Sequence, residues 1–431
     1  MNKNLDVSLK DVFGISRNVL KSYVDRQQID EDYQDKIELT DHHIVIYGET
    51  KVGKTLLRKK YVTKAENTIV IDCTKGVDLA DIYTQILYKS GVEISDNFSK
   101  SIEKCSKIDS QVEANLFQFL KAKVTGDSSE KELLSESGKM DLPKTVSVRV
   151  AESLKEKGIQ FIVLDDFHYL NLVDQYLLAF DLKMFYQSGL RFIIIGTKII
   201  NGYFEKFNGE LSQRIDYIDA TKWSTRDLMN IKSRGCKELN IDISEDVTNY
   251  FIEASSQIVA VYQQLLFDYC RESGIRKRSQ NYIVLDSLEL AKECNALYYK
   301  RVSEEYLRNI QDIADGERKA KLKLYYYIMK IVLTSDLDIA RRGFSFQYLY
   351  ENIHRIHEKK SINHGALTSV LNHFDELQSK KDIFPKVFTY YDKRLYISDS
   401  SFYYILKHFN KENIDDVLPP HDFQLSFQFN D

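Results

Sequence analysis

The octapeptide Gly48-Glu49-Thr50-Lys51-Val52-Gly53-Lys54-Thr55 constrains this chain more than any other feature. It follows Ile44-Val45-Ile46-Tyr47, a β-branched and aromatic run with the composition of a buried strand. It leads into Leu56-Leu57-Arg58-Lys59-Lys60-Tyr61, which reads as a helix. Strand, G-x-x-x-x-G-K-T, helix is the order in which a chain builds a phosphate cradle. The glycines let the loop curl tightly, so that successive backbone N–H groups converge on phosphate oxygens. The helix that follows adds the positive end of its dipole. In that geometry Gly48, Glu49, Thr50, Lys51, Val52, Gly53 and Leu56 wall the cradle. Lys54 reaches the β- and γ-phosphates, and the Thr55 hydroxyl ligates magnesium. From average composition, a chance match in a chain this long arises about once in a hundred cases, so ATP or GTP with Mg2+ is the expected ligand.

A second apolar run, Phe161-Ile162-Val163-Leu164, ends in Asp165-Asp166-Phe167-His168. Four consecutive apolar residues suit a parallel strand buried on both faces. Its C-terminal end is where doubly wound sheets place their ligands. Asp165 is the expected magnesium partner, through water, and Asp166 the group that polarises an attacking water. An isolated Asp pair would otherwise mean a solvated turn. Thr68–Asp72 reads as another buried strand, with helical patterns at Leu79–Tyr88 and Val173–Tyr186. Arg191-Phe192-Ile193-Ile194-Ile195-Gly196-Thr197 is a further strand with a polar tip. Thr197 there either bonds the γ-phosphate or the attacking water, or simply closes a turn. Alternating strands and helices give a parallel α/β sheet.

These residues resemble the AAA+ and STAND branch of P-loop ATPases, including origin-recognition-like members, over about residues 10–275. Tyr23-Val24-Asp25-Arg26, with Asp30 and Glu31, is similar to the entry segment that packs around adenine there, which implies nucleotide contacts for Val24 and Arg26. Leu164 to Leu170 is similar to the STAND form of the acidic motif, and Gly196-Thr197 occupies the sensor-1 place. Leu211-Ser212-Gln213-Arg214-Ile215 resembles the arginine-finger segment. Arg214 is then either a finger acting in trans, which requires oligomers, or a structural salt bridge. Trp223-Ser224-Thr225-Arg226-Asp227 opens a lid-like segment with capping-box spacing, Asp standing in for the usual Glu. The lid departs from the pattern at Ala254 to Tyr262, which holds no arginine, so slow hydrolysis is expected. The absence of an N-K-x-D guanine-reading motif leaves the preference for ATP to the resemblance.

The chain has 431 residues, which suggests two or three units. The expected division is a P-loop ATPase core over 1–220, a helical lid with linker helices over 221–316, and a winged-helix domain over 317–431. Within the core, residues 92–143 form a polar, charged insertion, either a variable surface excursion or a docking element. Past residue 316, Leu322–Leu333, Phe346–Ile356 and Gly365–Leu377 read as three helices. A hairpin of Val387–Tyr391 and Leu395–Ile397 follows, which is the winged-helix order. The recognition helix would start near His364, with Asp392, Lys393 and Arg394 at the wing tip. Residues from Leu418 onward read as an extended tail.

Lys and Arg exceed Asp and Glu by only about three over residues 338–407, a weak basis for binding nucleic acid. Lys380, Lys381, Lys386, Lys393 and Arg394 could still make a local stripe. The net charge of −4 gives no general attraction to DNA or anionic membrane. Five scattered cysteines without a C-x-x-C pair argue against disulfides and zinc, and with no apolar leader or span the expected location is the cytoplasm. The fold expected is thus an α/β P-loop sheet with a helical lid, then a helix-rich C-terminal winged-helix domain. The function expected is an ATP-hydrolysing switch that signals to a protein partner or a second copy through the winged helix. The resemblance implies a place in bacterial mobile-element or anti-phage defence systems. The alternative is a DNA-binding loader, and a third reading keeps the nucleotide as a structural ligand.

Overall fold

The computed structural model describes residues 7–16, 18–62, 67–92, 144–197, 201–316, 322–357 and 362–420. Apart from Val92, the predicted insertion lies outside these residues, as do Ser361 and the tail from His421. The chain divides into two compact units, Met1–Ser287 and Leu288–Asp431.

Five parallel strands make the sheet of the first unit: β1 (His43–Tyr47), β2 (Thr68–Asp72), β3 (Phe161–Asp165), β4 (Arg191–Gly196) and β5 (Ile215–Asp219). Their order is β2-β3-β4-β1-β5, so the P-loop strand lies next to β4, which ends in the predicted sensor. Successive residues of each strand point to opposite faces, and both faces are apolar. Ile44, Ile46, Val163, Ile193, Ile195 and Ile218 pack on one side with Tyr33 of α1 (Gln27–Leu39) and Leu57 of α2 (Lys54–Tyr61). Val45, Ile69, Ile71, Ile162, Leu164, Phe192 and Ile194 face the other side. There they meet α3 (Leu79–Lys89), α4 (Lys144–Glu156) and α5 (Leu172–Gln187). Helices on both faces of a parallel sheet make the expected α/β sandwich.

Two polar side chains tie the N-terminal edge of this sheet together. His43, fully buried, accepts from the Phe192 amide at Nδ1 (3.0 Å) and donates from Nε2 to Leu182 O (2.8 Å). Arg191 donates to Ile37 O (2.7 Å), Lys36 O (2.6 Å) and His42 O (3.1 Å). It thereby caps carbonyls at the C-terminus of α1 that have no partner within the helix. At the other end of α1, Asp30 accepts from the Arg26 amide (3.0 Å) and pairs with its guanidinium (3.6 Å).

After β5 come α6 (Thr225–Leu239), α7 (Glu245–Ala254) and α8 (Val259–Glu272), with a two-stranded parallel pair, β6 (Ile241–Ile243) and β7 (Ile283–Leu285). The capping box predicted for Ser224 and Asp227 is present: the Asp227 amide donates to Ser224 Oγ (3.1 Å) and the Ser224 amide to Asp227 Oδ2 (2.9 Å). The N-terminal segment packs on these helices. A Cβ at Gly235 would lie 2.3 Å from the Phe13 ring, so glycine is what lets the two meet.

The second unit opens with α9 (Leu288–Asp315), which the sequence reading grouped with the lid. Its buried Asn295 and Tyr306 hold it there: Tyr404 donates to Asn295 Oδ1 (2.8 Å) and Tyr306 to Asp399 Oδ2 (2.6 Å). There follow α10 (Leu324–Thr334), α11 (Leu337–Arg342), β8 (Phe344–Ser345), α12 (Phe346–Ile356), α13 (His364–Asn372) and α14 (Phe374–Lys380). A hairpin of β9 (Phe388–Tyr391) and β10 (Arg394–Ile397) completes an antiparallel sheet in the order β8-β10-β9. Asp392 and Lys393 both have positive φ (48° and 57°), the backbone of a two-residue hairpin turn. The single helix expected over Gly365–Leu377 is in fact two, divided at His373.

Candidate functional site

The loop between β1 and α2 has the backbone its sequence anticipates. Gly48, Lys51 and Gly53 all have positive φ, at 136°, 63° and 93°. A Cβ at Gly48 would sit 2.7 Å from the Thr221 methyl, so this position needs glycine for space as well as conformation. Gly53 is the N-cap of α2, with Lys54 in its first turn. The Lys54 ammonium is buried and folds back over the loop, donating to Gly48 O (3.0 Å) and Glu49 O (2.5 Å).

Asp165 ends β3 directly behind this helix. Its Oδ1 accepts from the Thr55 hydroxyl at 3.4 Å, and its Oδ2 lies 3.7 Å from the Arg58 guanidinium. Asp72, its register partner on β2, adds a further carboxylate nearby. Burial raises the Asp165 carboxyl above its ordinary value, while Arg58 opposes the shift. Asp166 has a left-handed backbone (φ 56°); partial burial and the Asp165 charge raise its carboxyl too, with Lys54 opposing. A hydroxyl beside a carboxylate is a hard-oxygen pair suited to magnesium. Among the described residues no group of three or more His, Cys, Asp or Glu side chains offers an all-protein metal cage.

A cavity of about 260 Å³ opens beside these groups. Thr50, Lys51, Gly53, Lys54, Thr55 and Leu56 line it together with Asp166 and Thr197. The structure therefore brings the loop, the second acidic residue and the strand tip into one space. Leu20, Val24, Ile231, Val259 and Ala260 make the rest largely apolar, with Tyr23, Trp223 and Gln263. Val259 and Ala260 stand where the sequence lacks a sensor arginine, and the wall there is apolar as a result.

Arg26 does not line the cavity. It is buried beneath it, its guanidinium 4.5 Å from the Trp223 ring centre and donating to Ala220 O (2.9 Å). Gly48, Glu49, Val52 and Asp165 lie outside the lining as well, supporting it from behind. Arg214 is at the far edge of the sheet: its carbonyl accepts from the His43 amide at the start of β1 (2.9 Å), whereas the loop follows the end of β1. Its guanidinium donates to Glu210 O and lies 5.7 Å from the Tyr186 ring centre. It thus stands apart from the cavity of its own chain.

The sequence marks Trp223 only as the start of the lid-like segment, yet the fold packs it against the loop. Its indole donates to Val52 O in the loop (3.0 Å), and a Cβ on Gly53 would lie 3.6 Å from its ring. Gln263 was also missed, since one glutamine in a helical pattern carries no distinguishing signal.

The family model described as AAA domain matches residues 37–204, from the end of α1 past the tip of β4. The match places an AAA domain on the part of the chain that holds the cradle and four of the five parallel strands. No curated protein matches the sequence. Among solved structures, the chain is similar to the Aeropyrum pernix Orc1 protein in complex with DNA, at 11% identity and a TM-score of 0.40. That likeness covers 92% of this chain and 93% of the other. It is also similar to a point variant of Thermotoga maritima RuvB, at 11% identity and a TM-score of 0.32, over 89% of this chain and 93% of that one. Likenesses this distant carry no inference about activity. Among the described residues, no helix is long and apolar enough to cross a membrane.

Proposed function

We propose that this chain is an ATP-binding and ATP-hydrolysing switch of AAA+/STAND type, which relays its nucleotide state through a C-terminal winged helix. The observation that carries the proposal is the shared cavity, lined by the loop, Asp166 and Thr197 together with Trp223, Val259 and Ala260 from beyond β5. A nucleotide there would touch core and lid at once, so its presence would bias how they sit against each other.

In the bound state Lys54 would exchange two carbonyls, Gly48 O and Glu49 O, for the β- and γ-phosphates. Thr55 and Asp165 would hold magnesium, whose role is to offset charge developing on the phosphates. Asp166 would orient and polarise the attacking water, and Thr197 would position it or the γ-phosphate. The apolar wall at Val259 and Ala260 offers no cation to the γ-phosphate, which is consistent with slow turnover. Arg214, remote from its own cavity, could serve only the site of a neighbouring copy.

In the second unit, α10, β8, α12, α13 and the β9–β10 hairpin follow winged-helix order. Its basic residues favour a protein contact over a DNA face. Lys380 pairs with Glu376 (2.9 Å), Lys386 with Asp375 (3.8 Å), and Arg394 donates to Gly343 O (3.0 Å). The test is ATP turnover and mass in solution for wild type and Lys54→Ala, with and without duplex DNA. Turnover and a nucleotide-dependent change of mass in wild type alone support the switch. Stimulation by DNA would move the loader reading ahead, and binding without turnover or change of mass would leave the nucleotide a structural ligand.

A further inference from the structure

If phosphates meet the loop, the base must lie against the rest of the lining, which includes Leu20, Tyr23, Val24, Trp223 and Gln263. Most of the polar groups there are already committed. Tyr23 donates its hydroxyl to Asp30 (2.6 Å), and Trp223 donates its indole N–H to Val52 O (3.0 Å). Gln263 differs. Its side chain is 7% exposed, it lines the cavity, and its Oε1 is buried with no hydrogen-bond partner.

The orientation of that amide is fixed by a short chain of hydrogen bonds. Buried Ser22 gives its one hydroxyl proton to Val12 O (2.5 Å) and so can only accept from Gln263. Gln263 therefore turns its NH2 to Ser22 (3.1 Å), which leaves the oxygen as the group without a partner. A buried acceptor left unmatched is costly, and a ligand that brings a donor to it is favoured over one that brings a second acceptor. Purines differ here: adenine carries an amino group at position 6, guanine and hypoxanthine an oxygen.

We infer that Gln263 selects adenine, its Oε1 accepting a hydrogen bond from the 6-amino group of bound ATP. The inference rests on the nucleotide reading of the cavity given above. It assigns base selection to α8 and the Ser22 segment, well apart from the phosphate cradle.

The experiment compares equilibrium binding of ATP, ITP and GTP, each with magnesium, to the full chain. ITP is the probe because, on the same triphosphate, it replaces the 6-amino donor by a 6-oxo acceptor and moves the donor to N1, out of line with Oε1 placed for the 6-amino group. Wild type is expected to bind ATP about ten- to a hundredfold tighter than ITP, the usual range for a buried polar match against a mismatch. Gln263→Met should bring ATP to within about threefold of ITP without weakening ITP. Ser22→Ala removes the group that fixes the amide, so the NH2 can turn toward a 6-oxo purine. That variant should bind ITP more tightly than wild type does, a gain that misfolding cannot produce. Equal affinity of wild type for ATP and ITP overturns the inference, as does a full ATP preference in Gln263→Met. If wild type binds none of the three triphosphates, the cradle reading itself has failed, not merely the choice of base.

Discussion

At the scale of single residues, the site depends on a few side chains whose neighbours fix their state. Lys54 holds two loop carbonyls in place of phosphate, so Lys54→Ala removes both the charge and the donor. ATP affinity should drop about ten- to a hundredfold, as for a lost charged hydrogen bond, and calorimetric titration checks it. Asp166 sits at φ 56°, a backbone that asparagine accepts and alanine resists. Asp166→Asn should therefore leave fold and ATP binding intact while turnover drops about 10²- to 10⁴-fold, measured in single-turnover assays. Sequence made these residues legible because a Gly-rich loop and an acidic strand end leave a fixed spacing. Trp223 and Gln263 were not legible as site residues. Their roles come from which segments the fold brings together across more than 160 positions, as in the Trp223 to Val52 bond.

Among the elements, the central strands could be read because burial on both faces makes them continuously apolar. β2 covers the span read for it, and β3 gains only Asp165. β5 was missed as a strand: it lies at the sheet edge, and Asp216 and Asp219 interrupt its apolar residues. The join between β1, β4 and α5 was equally hidden, since nothing in the sequence sends His43 to Leu182. Full burial lowers the His43 imidazole from 6.5 to about 4. The unfolded chain takes up a proton as pH falls below about 6.5, while the folded chain resists until about 4. Stability is thus complete above that window and should decline by about 3 kcal/mol across it. Urea unfolding of wild type and His43→Gln at several pH values checks this, because the variant lacks the titrating group and should lose less. Trp223, bonded to the loop and stacked on Arg26, is the only tryptophan in the chain. ATP should change its emission in wild type, and in Lys54→Ala only at about ten- to a hundredfold higher concentration.

For the whole molecule, the expected α/β class with a helix-rich C-terminal part is what the structure contains, and α9 falls with the second compact unit. A 28-residue helix between two compact regions has no sequence mark that assigns it to either; buried contacts such as Tyr404 with Asn295 decide it. The paired lysines of the second unit and a net charge of −4 predict that duplex DNA will bind only weakly. Fluorescence anisotropy at physiological salt should give no better than the 10⁻⁴ to 10⁻⁶ M usual for non-specific contact. One helix runs from the Arg26–Asp30 pair to Arg191 at the start of β4. α1 is clamped by Arg26 and Asp30 beside the cavity and by Arg191 at its other end, about 20 Å away. Helices ordinarily fray from their termini, and this one has its last carbonyls held by Arg191. It should behave as a stiff strut, the amides of its last turn exchanging with deuterium nearly as slowly as those of its middle. A tilt imposed at its Arg26 end would then be delivered, scarcely diminished, to the end held by Arg191.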